Sequence, residues 1–213
     1  KAYKALLEAK EKGKIKYIGI TSHSLETIEQ SIEDEKFSTI QFPYNIIEDQ
    51  ADEIFKKANK KGIGIIVMKP LAGGAIDDAK LAIKYILSKD YIDVVIPGME
   101  NIEQVRENVS VLQDTNITKD DESKIQEIRK TMGKRFCRRC EYCLPCPLNI
   151  NIPQNFLLEG YYTRYNLKDW AKERYKSLEV KASACVECGL CETKCPYELP
   201  IREMLKDVSS KLD

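Results

Sequence analysis

Over residues 1–113 the apolar positions switch repeatedly between helical and strand-like spacing. Ala5, Leu6, Leu7 and Ala9 mark a short helix that ends at Gly13. Lys16–Ile20 (KYIGI) reads as a strand and Leu25–Ile32 as a helix. Ser38–Phe42 (STIQF) is a strand stopped by Pro43, and Ala51–Lys61 is a helix with Ile54, Phe55 and Ala58 on one face. Ile63–Met68 (IGIIVM) is almost continuously apolar, as a strand buried on both faces requires. A helix over Ala79–Ser88, a strand over Asp93–Ile96 and a helix over Ile102–Leu112 complete the series. Strands alternating with helices predict parallel βα units. After a linker at Asp114–Thr118, Lys119–Thr131 is a further amphipathic helix.

Beyond Gly133 the texture changes to cysteine, proline and tyrosine, which predicts two domains, 1–133 and 134–213. In the second, Pro153–Tyr162, Leu167–Val180 and Ile201–Leu212 read as helices. All eight cysteines lie there, in two clusters. The first is Cys137, Cys140, Cys143 and Cys146, followed by Pro147. The second is Cys185, Cys188, Cys191 and Cys195, followed by Pro196. The second has the C-x2-C-x2-C-x3-C-P spacing in which three thiolates grip one 4Fe-4S cube and the fourth serves another. Disulfides suit short secreted domains, and zinc usually takes two separated pairs, so both are weaker readings. Two 4Fe-4S clusters are expected. Cys137, Cys140, Cys143 and Cys195 would hold one, and Cys185, Cys188, Cys191 and Cys146 the other. The first motif departs from the pattern, since only two residues separate Cys143 from Cys146. With few large apolar side chains evident outside Tyr and Leu, metal is expected to supply most of this domain's folding energy.

Charge changes the picture little. The 34 basic and 34 acidic residues balance, giving no reason to expect nucleic acid or a membrane surface as partner. No apolar run approaches a membrane span, and no targeting segment is visible, so a cytoplasmic location is expected. The chain opens on Lys1 within a helical pattern, which suggests a piece of a longer protein.

Four stretches carry a family resemblance. ALLEAKEKGKIKYIGITSHS, STIQFPYNII, GIGIIVMKPLAGG and VVIPGMENIEQVRENVSVL resemble, in order, consecutive segments of aldo/keto reductases. With the cysteine module, the chain resembles the iron–sulfur-bearing subgroup of that family. The resemblance implies an α/β fold, the second half (strands five to eight) of a TIM (β/α)8 barrel, followed by a mostly helical ferredoxin-like domain. It also implies a nicotinamide cofactor, NAD(H) or NADP(H), and a small carbonyl or alcohol substrate. Ser22 and Gln41 match positions at the nicotinamide carboxamide. Lys69, Leu71 and Gly74 match the loop beside the pyrophosphate. Gly98, Met99, Gln104, Glu107 and Asn108 match the adenosine end. Independently, loops after the strand ends are where barrels place their sites, and Ala72-Gly73-Gly74 and the helix start after Gly98 suit close approach to phosphate.

Three departures bear on function. His23, the only histidine, stands in place of asparagine and reads as a strand-end residue. Met68 stands where an aromatic ring usually stacks. Gly98 and Gln104 replace the lysine and arginine that grip a 2′-phosphate, which removes charge-assisted bonds and weakens any preference for NADPH. No segment matches the family's catalytic tetrad, so no catalytic residue is assigned in this chain, and the activity expected is that of the full-length protein. Nicotinamide moves electrons in pairs and a 4Fe-4S cluster moves one, so three readings of the clusters stand: structural, redox-sensing, or serving a flavoprotein or another electron-transfer partner. The alternative is an electron-transfer or cluster-scaffold protein whose barrel is a docking body.

Overall fold

The computed structural model describes residues 2–132, 135–164 and 167–213. It divides into two compact units, Lys1–Thr131 and Met132–Asp213. The boundary expected at 133–134 falls on residues outside those described.

In the first unit the order is α1 (Ala2–Glu11), β1 (Gly19–Thr21), α2 (Leu25–Glu33), β2 (Thr39–Pro43), α3 (Asp52–Lys60), β3 (Gly64–Met68), α4 (Ala79–Leu87), β4 (Val94–Ile96), α5 (Ile102–Ser110) and α6 (Lys119–Met132). The four strands form one sheet in sequence order, every neighbouring pair parallel. Parallel neighbours cannot be joined by a tight hairpin, so each connection carries a crossover helix. Local chemistry sets the helix starts. Ser24, Asp78 and Asn101 each accept a backbone N–H three residues on, at 3.3, 2.9 and 2.9 Å. Thr118 and Asp121 close a reciprocal capping box at the start of α6, and Asp121 also pairs with Lys84 of α4 at 2.7 Å.

The core lies between the sheet and its helices. Ile40 and Phe42 of β2 and Ile65 and Val67 of β3 point to the same face as Ile28 and Ile32 of α2 and Phe55 of α3, all essentially sealed from solvent. Phe42 and Phe55 meet edge to face at 6.3 Å. The alternate positions, Gln41, Ile66 and Met68 among them, lie on the opposite face and are only half buried. Apolar side chains also stand exposed at both margins of the sheet: Leu6 and Tyr17 beside β1, and Val94, Ile96, Ile102 and Val109 from β4 into α5.

Strand β1 starts at Gly19 rather than Lys16. Tyr17 is 72 % exposed, and pairing begins only when the Ile18 carbonyl accepts Ser38 N–H at 2.8 Å. Gly19 then lies opposite Thr39 so closely that a Cβ would come within 2.2 Å of Thr39 Oγ1. Helix α5 gives way to a 3-10 turn at Val111–Gln113.

The second unit contains α7 (Ile152–Thr163), α8 (Lys168–Lys176), α9 (Leu190–Thr193) and α10 (Ile201–Leu212). Helix α8 stops short of the expected Val180, because the chain turns back so that Ala182 N–H donates to the Tyr175 hydroxyl at 3.1 Å. Phe156 and Leu158 of α7, Tyr175 of α8 and Leu205, Val208 and Leu212 of α10 form a packed apolar core. The apolar residues of this unit are spread thinly in sequence, so few were evident there outside Tyr and Leu, and helical spacing gathers them on facing sides. Cys143 and Cys191 are buried within the same cluster, and Cys137, Cys146, Cys185 and Cys195 pack against it.

Candidate cofactor and metal-binding sites

The parallel register brings the C-terminal ends of the four strands side by side, with Thr21 opposite Gln41, Gln41 opposite Ile66, and Met68 opposite Ile96. Ser22 leaves β1 with its N–H bound to Gln41 O at 3.2 Å, and its hydroxyl oxygen accepts Ser24 N–H at 3.0 Å. The Gln41 amide donates only through long contacts, to Thr21 Oγ1 at 3.4 Å and Met68 Sδ at 3.7 Å. Such weak bonds leave it easily drawn to a ligand.

After β3 the chain makes a tight loop. Lys69, Ala72, Gly73 and Gly74 all have left-handed backbone, with φ of 54, 50, 70 and 87°. The Leu71 carbonyl accepts N–H groups from Gly74, Ala75 and Ile76 at 2.9, 3.0 and 3.2 Å. Sequence reading passed over what supports this loop. Asn45, fully buried, donates to Lys69 O at 3.1 Å and to the carboxylate of Glu48, also fully buried, at 2.8 Å. A polar pair inside an apolar strand-end segment was the available signal. His23 is half buried close enough to feel the Lys69 charge. Burial first, and that charge second, hold its pKa below the ordinary value, so its imidazole is neutral near pH 7.

One strand further on, Gly98 leaves open space around its Cα, and Met99 is exposed. Gln104 does not reach outward: its side-chain oxygen accepts Glu100 N–H at 2.7 Å, closing the cap of α5. Asn108 has a buried Oδ1 with no hydrogen-bond partner among the described residues. An orphaned acceptor of this kind is costly unless a ligand satisfies it. The structure thus aligns Ser22, Gln41 and the 69–74 loop along adjacent strand ends and presents Gly98, Met99 and Asn108 from β4 and α5. It turns Gln104 to a structural use.

The cysteine loops repeat one another in backbone detail beyond their spacing. Arg139, Glu141 and Asn149 in the first motif, and Glu187, Gly189 and Glu198 in the second, all have positive φ, between 50 and 79°. They occupy matching places: two after the first cysteine, one after the second, three after the fourth. Left-handed backbone at a non-glycine costs about 1 kcal/mol or more, and it turns N–H groups inward to form a nest for an anionic centre. Each motif then runs into a helix six residues past its last cysteine, at Ile152 and Ile201. The sulfur environments match as well. The first cysteine accepts an N–H from two residues on, Arg139 for Cys137 and Glu187 for Cys185, the latter at 3.4 Å.

Electrostatic coupling shows which thiols are neighbours. Cys137 and Cys143 both feel Cys140 and Cys195, and Cys191 feels Cys185. Burial raises the thiol pKa of Cys137 and of Cys191, and with the neighbouring thiols it takes Cys143 to about 12. Deprotonating them together requires a compensating cation, which iron would supply. Cys188 is exposed. Among the described residues no three His, Cys, Asp or Glu side chains close around a point as tightly as a single ion needs.

A parallel βα sheet with polar loops at its strand ends is followed in the chain by a duplicated cysteine cradle of the iron–sulfur kind. Residues 1–81 and 77–130 match the aldo/keto reductase family, and the chain belongs to it. Residues 136–200 match the 4Fe-4S dicluster domain. The aldo-keto reductase AKR11C1 from Bacillus halodurans, in its holo form, superposes with a TM-score of 0.52 at 23 % identity, covering 59 % of this chain and 54 % of that one. Its apo form gives 0.51 at 24 % identity, covering 59 % and 55 %. An uncharacterized oxidoreductase, C215.11c, of Schizosaccharomyces pombe is 21 % identical over 116 residues, 47 % of this chain and 38 % of that protein. The chain thus spans about half the length of the solved relatives and less than half of the curated one. No helix among the described residues is long and apolar enough to cross a membrane.

Proposed function

We propose that the chain is the cofactor-binding half-barrel and two-cluster module of a nicotinamide-dependent aldo/keto reductase-like oxidoreductase acting on a small carbonyl or alcohol. The observation that carries this reading is that Cys195 acts electrostatically on Cys137 and Cys143, in the motif across the chain from its own. Crossed ligation of two cubes demands that placement and a zinc knuckle does not. Cys137, Cys140, Cys143 and Cys195 would hold one 4Fe-4S cluster, and Cys185, Cys188, Cys191 and Cys146 the other, with the domains dividing near residue 133. The exposed apolar margins at Leu6, Val94, Ile96 and Ile102 suit burial against strands one to four of a completed barrel.

Nicotinamide, when bound, supplies hydride chemistry. Ser22 and Gln41 would orient its carboxamide, the 69–74 loop would lie along the pyrophosphate, and the orphaned Asn108 oxygen would accept from the adenosine end. Neutral His23 would sit at the same strand ends without bringing a second positive charge to Lys69. Anaerobic reconstitution tests the metal part: about eight iron and eight sulfide per chain are expected. Two zinc per chain without visible absorbance would sink the assignment.

A further inference from the structure

We infer that the two clusters are unequal: the one bordered by Cys137, Cys140, Cys143 and Cys195 is reduced first, because Arg138 is clamped beside it where the other motif has Val186. This rests on the two-cluster reading. Arg138 directly follows Cys137 and acts electrostatically on it. Its guanidinium lies over the ring of Tyr197 at 4.4 Å and near Phe136 at 5.9 Å, and it donates to Phe136 O at 2.7 Å. Tyr197 comes two residues after Cys195, so the stacked arginine also ties the crossing cysteine's segment to the first loop. Arginine suits the task because it cannot lose its charge and its plane stacks on aromatic faces.

The backbone repeat makes the comparison fair. In two cradles that share left-handed backbone at matching places, the residue after the first cysteine is a fixed cation in one and Val186, 68 % exposed, in the other. The acids flanking the second cradle are matched by cations of α10: Glu187 with Lys206 at 2.8 Å, and Glu192 with Arg202 at 2.8 Å. A positive charge favours the form carrying one more electron, so the Arg138 side takes up an electron more readily. Each cube gains one electron from a reduced viologen, and no bond is made or broken.

The test is a viologen-mediated redox titration of the full-length, cluster-loaded protein followed by electron paramagnetic resonance. Cys188→Ser labels the second cluster by changing its signal. Two one-electron steps are expected, the Cys188→Ser label falling on the lower. Arg138→Gln should lower the reduction equilibrium of the upper step about tenfold, or about 59 mV for one electron. Arg138→Lys should restore part of the gap. Should Arg138→Gln fail to load, Val186→Arg decides, by raising the lower step and narrowing the gap. Fewer than eight iron in the loaded wild type would overturn the two-cluster reading and this inference with it. Eight iron with coincident potentials, with the label on the upper step, or with a gap that neither Arg138→Gln nor Val186→Arg moves, would overturn this inference alone.

Discussion

Replacing Gly19 by alanine tests how the end of β1, and with it Ser22, is held against β2. The added Cβ would meet Thr39 Oγ1 at 2.2 Å, Thr39 O at 3.2 Å and Thr39 Cβ at 3.5 Å. The first contact is well inside what real structures tolerate. Relieving it requires turning the threonine off its present rotamer, which carries the larger part of the cost, while the milder carbonyl contact belongs to the backbone and adds the rest. Overpacking of this kind costs about 1–3 kcal/mol. Against it stands the gain of roughly 0.5–1 kcal/mol that alanine brings by losing less backbone freedom than glycine. A net loss of about 1–2 kcal/mol is expected, most of it carried by the hydroxyl. Thr39→Ala removes that hydroxyl, so the double variant should recover most of the loss, a coupling of about 1 kcal/mol. Trp170 is the only tryptophan and lies in the second unit, so its emission does not follow this change. Hydrogen exchange of the β2 and β3 amides in graded urea does. A neutral Gly19→Ala, or simple additivity with Thr39→Ala, would refute the steric reasoning.

Cofactor preference follows from Gly98 and from the capped Gln104: in the full-length protein NADH should bind as tightly as NADPH or more tightly. A dissociation-constant ratio of about a hundred in favour of NADPH, ~2.7 kcal/mol, would point to Lys69, which Lys69→Ala then checks. Asp121 is held at about 2 by its bond to Lys84 first and the Thr118 N–H second. A depressed carboxyl stabilises above its unfolded value of 3.8 and loses that contribution as pH falls toward 2. Because the pair is partly wetted, at 17 % and 16 % exposure, the effect should be about 1 kcal/mol, and Asp121→Asn should abolish it in acid titrations of stability. Stripping the clusters should loosen the cysteine loops yet leave α7, α8 and α10 folded on their apolar core. Loss of helical circular dichroism together with a red-shifted Trp170 emission would contradict that.

The βα series was legible because apolar spacing and capping residues such as Ser24, Asp78 and Asn101 agree with the tertiary packing. The β1 start was misplaced because KYIGI is apolar enough for a strand, yet pairing depends on where Gly19 can approach Thr39, a distance invisible in one dimension. Cysteine spacing announced the metal chemistry. The strain around it was hidden, since Arg139, Glu141 and Glu187 are not residues that advertise left-handed backbone. Core formation in the second unit was underestimated because Phe156, Tyr175 and Leu205 come from three separate helices. Arg138 was silent for the same reason: its partner Tyr197 lies in the other motif.

Cys195 is near enough to Cys137 and Cys143 to act on them electrostatically, with α7 and α8 between them in the chain. On the crossed ligation proposed above, the cube would be a covalent staple closing that whole stretch into a ring. By the loop-entropy relation used for disulfides, closing a ring of this length removes on the order of 4 kcal/mol of freedom from the unfolded chain. A protease that cuts between the two motifs would therefore release nothing: the two fragments would remain one molecule until an acid or a chelator dissolved the metal.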